Sequence, residues 1–557
     1  MGYFYYISLT APPAPPPAVQ TAESGEGASS DPTAPAAEPP PPSVESEPSS
    51  DAESEPAAVE TNRIAAEAEQ EIVVETDDLR VVFSNRGGVV KSWRLKNFTD
   101  STAERGPLEL IHQQGGEGNG WPFALAESGG NRIEGLDDAL FTVNAGGLER
   151  RGPTTLELVY SDGRRKARKR FRFESGGYVI GVETELEVDG AARAHLVTWP
   201  GGFGDTAQTQ DSANSSVFYW DPESGSVERV SASDAEDERV SSRGVYPFAG
   251  IDDLFFAVAF LPPPETSMAV EASAVEIAPV PDADQEYFAA LALGGQGTNA
   301  FRVFVGPKSV DVLPQVDPRL RRIVDFGFLS VVAEPIFWMM RWTHANLVDN
   351  YGWTIVLVTF FINIVLFPLK WKSTRSMKRM QQIQPLVKQI NEKYKGLGMR
   401  DPKKAQQNEE TMALYKKYDV NPMGSCLPML LQMPFFFAFY TVLTVAIEMR
   451  QAEWLWVSDL SAPETLAIRV LPLAMMGTQF WQQHLTPTPS ADPAQAKMMK
   501  FMPLMMGFIF YQFQSGLVLY WLTSNVVGVG QQLLLNRIPG DELVIEQPRK
   551  RGGKKKK

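Results

Sequence analysis

Hydrophobic positions along this chain change their period twice. From about Glu71 they recur every second residue: EIVVE, LRVVFS and VVKSWRL are separated by Asp77-Asp78 and Arg86-Gly87-Gly88, which reads as strand, turn, strand, turn, strand. In YVIGVETELEV, Val182, Thr184, Leu186 and Val188 share one face and Glu183, Glu185 and Glu187 the other, the pattern of a half-buried antiparallel strand. Short runs of this kind, punctuated by Gly, Asp and Ser, continue to FRVFVGP, which ends at Pro307. Their period and the scarcity of helical spacing predict an all-β sandwich over residues 71–315.

After Pro318 the apolar runs lengthen. DFGFLSVVAEPIFWMMRWTHANLV is interrupted by Glu334-Pro335 and Arg341. It reads as an amphipathic helix at 320–348 lying in a membrane interface, with a buried helix of a soluble domain as the alternative. Five longer stretches follow, at about 351–371, 426–447, 466–481, 501–513 and 517–535, and predict a five-span helical core over 350–538. The third is weakened by Arg469 and the fourth is short for a bilayer. The segment 372–420 is crowded with Lys and Arg and reads as two amphipathic helices broken at Gly396-Leu397-Gly398. Positive charge collects on the cytoplasmic side, which puts this hairpin and the basic tail 539–557 in the cytoplasm. An odd number of spans then places the β-domain across the membrane.

Composition changes this picture at the front. Residues 1–70 are dominated by Pro, Ala, Glu and Ser and read as a disordered tether. MGYFYYISLT is apolar but far short of the roughly 20 residues that span a bilayer. Export of the β-domain therefore leads us to expect a further N-terminal span, lost or placed before this gene start. The net charge of −15 mixes an acidic front with a basic end and identifies no single partner. One cysteine, Cys426, and four scattered histidines offer no disulfide and no metal-ligand spacing. Phosphate-loop, dinucleotide, nucleophile-elbow and zinc-protease motifs are lacking, so neither an enzyme nor a cofactor is expected.

Candidate functional residues are polar groups inside the apolar spans: Thr359, Asn363, Gln432, Gln479, Gln512, Gln514, Thr523, Ser524 and Asn525. A single one is as well explained by interhelical hydrogen bonding, worth about 0.6–2 kcal/mol. Together they describe a shallow wet groove that holds polar peptide groups. Asp, Glu, Lys and His are missing from the depth of the spans, which speaks against a proton relay or solute transporter. In the tail, Arg549, Lys550, Arg551, Lys554, Lys555, Lys556 and Lys557 suit rRNA phosphates of a ribosome or, alternatively, anionic lipid.

NRGGVV, YGWTIVLVTFFINIVLFPL, MALYKKYDVNPMGSCLPMLLQMPFFFAFY, MRQAEWLWVSDLS and MMKFMPLMMGFIFYQFQSGLVLYWLTSNVVGVGQQ, in this order and spacing, resemble the YidC membrane-protein insertases from Glu71 onward. The resemblance implies a periplasmic β-supersandwich, five clustered core helices and a cytoplasmic hairpin in the bacterial inner membrane. It also implies insertion and folding of nascent membrane proteins, alone or with the Sec translocon, without ATP. On that pattern Thr359, Asn363, Gln432 and Asn525 line the groove, and Tyr520 and Trp521 form a greasy face along which substrates slide. The family usually carries an Arg where this chain has Asn363, so the groove is expected to have lost its charge. A sugar-binding or carbohydrate-active protein is the alternative that a large β-sandwich raises, and a solute transporter the second.

Overall fold

The computed structural model describes residues 63–100, 106–205, 215–236, 238–278, 285–395, 401–420, 427–486 and 493–538. The tail cations from Arg549 to Lys557, and nearly all of the proposed tether, lie outside the described residues.

Alternation in the first half becomes three sheets. One runs Pro107–Glu109, Val89–Thr99, Leu79–Ser84, Glu71–Glu75, Glu149–Arg151. A second has ten strands and holds Thr154–Ser161, Arg165–Phe173, Val179–Val188 and Thr298–Pro307 side by side or within two places. The third runs Val240–Gly244, Met268–Ile277, Glu286–Gln296, His195–Trp199, Ala124–Ala126. Inward residues of all three, among them Val81, Trp93, Phe171, Val182, Val197 and Leu293, meet in one core. On Val179–Val188 the expected faces are found: Val182, Thr184 and Leu186 are buried, and Glu183 and Glu185 turn outward to Arg170 and Arg168 across the strand pair.

One inward position is occupied by a cation. Lys169 follows the alternation Ala167, Lys169, Phe171, Phe173 into the core and is 1% exposed. Its Nζ donates to Gly87 O at 2.7 Å, Gly88 O at 3.1 Å and Phe123 O at 2.8 Å. Burial pushes its pKa down to about 7, against the pull of Asp137. The receiving turn needs its glycines: Gly87 and Gly88 have φ of +69° and +58°, and a Cβ at Gly87 would stand 2.7 Å from Asp137 O.

The second half is helical: α1 Ser330–Asn346, α2 Tyr351–Val365, α3 Phe367–Lys393, α4 Lys403–Lys417, α5 Leu427–Val445, α6 Val470–Leu485, α7 Pro493–Phe510 and α8 Ser515–Arg537. Asn350 starts α2 by accepting a hydrogen bond from Trp353 N at 3.1 Å. The stretch read as one span over 351–371 is broken at Leu366 and bent by 57° into α3. Pro368 explains the break, because it cannot donate to the preceding turn yet fits the first turn of a new helix. Among the described residues no single helix is long and apolar enough to cross a membrane, whereas the bent pair α2–α3 passes by length and composition.

α8 packs between α2 and α6, and α1 lies against α2 and α5. Their core runs without a gap into the β-region, joining Phe218, Phe248 and Leu320 to Ile336, Ile355, Val442 and Leu517. Two polar joints accompany it. At one, Arg229 pairs with buried Asp252 at 2.8 Å and donates to Ile323 O, while Lys308 reaches the same carboxylate at 2.9 Å. At the other, just after α5, Arg450 meets Asp205 at 2.5 Å with both side chains 2% exposed, and also donates to Thr99 O. Gln451 adds bonds to the carbonyls of Thr99 and Asp100.

Candidate functional site between the helices

Every third or fourth residue of α2 points inward: Ile355, Val358, Thr359, Ile362 and Asn363 are buried, whereas Phe360, Phe361, Ile364 and Val365 are exposed. The exposed side is wholly apolar. The buried side carries its amide one turn after the threonine, facing α8. Asn363 Nδ2 donates to Thr359 O at 2.8 Å and, more loosely, to Ser524 Oγ on α8 at 3.4 Å. Gln531, two turns further along α8, donates from Nε2 to Asn363 O at 2.9 Å.

Into this cluster comes a charge. Lys370, in the first turn of α3, folds back across the break so that its Nζ donates to Asn363 Oδ1 at 2.7 Å and to Gln531 Oε1 at 3.2 Å. Both acceptors are neutral. The expectation that Asn363 leaves the site without charge is therefore corrected: the bend after Val365 returns an ammonium to the same place.

The other expected groove residues divide. Thr359 is fully buried beside Asn363, and its hydroxyl has no hydrogen-bond partner among the described residues. Gln432 on α5 donates to Tyr520 OH at 3.3 Å, one turn of α8 from Ser524. Asn525 does not join them. It turns to the side of α8 that faces α6 and donates to Met475 O and Thr478 Oγ1, at 3.2 and 3.4 Å. The neighbours 524 and 525 are about 100° apart on a helix, so only one can face α2.

Tyr520 and Trp521 are not an open sliding face. Tyr520 is 2% exposed and stacks on Phe439 with centroids 4.3 Å apart, while Trp521 packs edge-on to Phe436 and against Phe510. Exposed apolar side chains are found on several helices, among them Phe501, Leu504, Met505 and Phe508 of α7 and the outer side of α2. Sequence reasoning missed Lys370 and Gln531. Gln531 stands two helical turns beyond Ser524 on the same face of α8, a spacing the sequence shows, whereas Lys370 reaches Asn363 only through the bend after Val365.

The arrangement is chemically specific in one respect. Neutral donors and acceptors and the Lys370 ammonium are collected where α2, the first turn of α3 and α8 face one another, with apolar surface on the outer side of α2. Such a cluster can exchange its internal hydrogen bonds for those of a polar guest. Groups of acidic, His and Cys residues fit to hold a metal are absent among the described residues.

Two family models account for most of the chain. Residues 71–339 match the YidC periplasmic domain and residues 342–541 the 60Kd inner membrane protein. Among similar proteins, the membrane protein insertase YidC of Ralstonia nicotianae is 32% identical over 85% of this chain and 84% of its own length. That of Wolinella succinogenes is 36% identical over 70% and 68%. A crystal structure described as active YidC insertase with the first transmembrane domain resolved aligns over 84% of this chain and 94% of its own, at 19% identity and a TM-score of 0.35.

Proposed function

The chain belongs to the YidC family of membrane protein insertases, and from that premise we propose that its polar cluster between α2 and α8 receives the hydrophilic parts of segments entering the bilayer. Membership brings an inner-membrane location, a periplasmic domain at 71–339, and membrane proteins and the lipid bilayer as partners.

The observation that carries the groove reading is the set of neutral hydrogen-bonding groups, Thr359, Asn363, Ser524 and Gln531, turned toward one another on otherwise apolar helices. In hydrocarbon a peptide group without a partner costs several kcal/mol, by order of magnitude. A site that lends it donors and acceptors lowers that cost without ATP or a cofactor. On this reading the five apolar stretches cross the membrane, the α3–α4 hairpin and the tail from 539 face the cytoplasm, and the chain helps its substrates fold as well as enter. It works with the Sec translocon or without it, and the tail cations, Arg549 among them, engage the ribosome. No covalent chemistry is involved.

Reconstitution of the purified chain into liposomes with a small two-span substrate tests this. Substrate protected from external protease, above the level in empty liposomes, is the expected result; no gain over empty liposomes overturns the reading. Topology is checked separately by a Ser376→Cys variant, which should react with a membrane-impermeant thiol reagent only from the cytoplasmic side. Labelling from the periplasm would reverse the assignment of the hairpin.

A further inference from the structure

We propose that Lys370 receives a carboxylate from the inserting segment, and that Asn363 and Gln531 are where its ammonium rests between substrates. The inference rests on the insertase reading and names a substrate feature for that same site.

The resting state is under-paired. An ammonium withdrawn from water costs several kcal/mol unless a counter-charge stands beside it. Lys370 has only two amide oxygens, at 2.7 and 3.2 Å, and forms no ion pair with a carboxylate among the described residues. Its third N–H has no protein acceptor in that set. A carboxylate gives the ammonium the full opposite charge that the two amide oxygens lack, an attraction that strengthens where water is excluded. A guest bearing Asp or Glu therefore displaces Asn363 Oδ1 and Gln531 Oε1 from the ammonium.

The scaffold survives that exchange. Asn363 still donates to Ser524 Oγ, and Gln531 still donates to Asn363 O, so α2 and α8 keep two direct links when the cation leaves. The two amide oxygens it vacates then face the guest and accept hydrogen bonds from its backbone N–H groups. Lys370 is also free to move: it stands just past the break at Leu366, on a four-carbon stem whose head is a compact point charge. Asn363 acts as a positioning residue for this cation.

The test uses the whole chain in liposomes and two substrates that differ only in Asp against Asn in the translocated segment. The readout is the ratio of acidic to neutral substrate inserted. Lys370→Gln should lower that ratio about tenfold, the weight of one charge-assisted hydrogen bond. Lys370→Arg should hold it, and the exchange Asn363→Arg with Lys370→Gln should restore it. Asn363→Arg alone should depress insertion of both substrates, because two cations then share one site. A Lys370→Gln ratio equal to that of the parent, or equal losses for both substrates, overturns the proposal and assigns Lys370 to packing. An effect that follows the anionic lipid content of the liposomes rather than substrate charge also overturns it, in favour of a headgroup contact. A parent chain that inserts neither substrate refutes the insertase reading itself, which separates the two failures.

Discussion

Lys169 is placed by its strand's alternation and held by three carbonyls, so its protonation is tied to folding. Its folded pKa is about 7, well below the value of a free lysine. Between those two values the unfolded chain binds a proton that the folded chain has released. Stability therefore rises with pH across that window and is flat below about pH 7. From about pH 7 to about pH 9 the expected gain is about 2 kcal/mol. Denaturant midpoints of the purified chain measure it; Lys169→Met should lower the baseline and abolish the slope. Asn363 makes a second residue-scale case. Asn363→Leu keeps the volume but removes the link to Thr359 O and one of two acceptors for Lys370. We expect several-fold weaker rescue of an insertase-depleted strain at matched expression; rescue equal to the parent would reduce Asn363 to packing. Such residues were only half legible. The sequence RKARKRFRF looks basic on both faces, and period two alone cannot say which lysine has three carbonyls waiting for it. Asn363 stood out as an amide in an apolar run, whereas Lys370 sat at the far end of the stretch read as one straight span until the bend returned it.

At the scale of elements, the strands were the most readable part, since one face of each is buried and a shift of one residue would expose it. Helix ends were harder to see. The α2–α3 break depends on Pro368, and its 57° bend has no counterpart in hydropathy. The hairpin illustrates how little burial some elements have. α3 and α4 meet through Tyr394 OH to Glu410 at 2.9 Å and Gln407 to Asn391 at 2.7 Å, with a small cluster of Met380, Ile383 and Val420 beneath. α4 has no buried residue at all, whereas α8 is buried all round from Ser515 to Tyr520 and on one side from there to Leu535. Amide exchange of the chain in detergent should therefore be fast in α4 and slow in α8. Equal protection of the two would mean that the hairpin is clamped by something other than its own contacts.

For the molecule as a whole, the composition change near Pro318 marks where sheets give way to helices, but nothing in it foretold that the two would share a core and a buried ion pair. Arg450 and Asp205 are 245 residues apart, each an ordinary charge in an ordinary loop until the fold joins them. Removing one partner leaves the other charge buried and unpaired, at a cost of about 3–5 kcal/mol, while replacing both with apolar residues costs less. Arg450→Met should thus lower the unfolding temperature of the chain more than Arg450→Met combined with Asp205→Leu. The opposite order would show that the pair adds little to the joint. The same joint has a mechanical consequence. α5 ends five residues before Arg450 and carries Gln432 near its other end, against Tyr520 of α8. With one end bolted to the β-domain, α5 is a lever of 19 residues, about 28 Å long. A tilt of about 10° about that bolt swings its free end by about 5 Å, the width of one extended chain. The helices then part as a wedge, widest far from the β-domain and closed beside it.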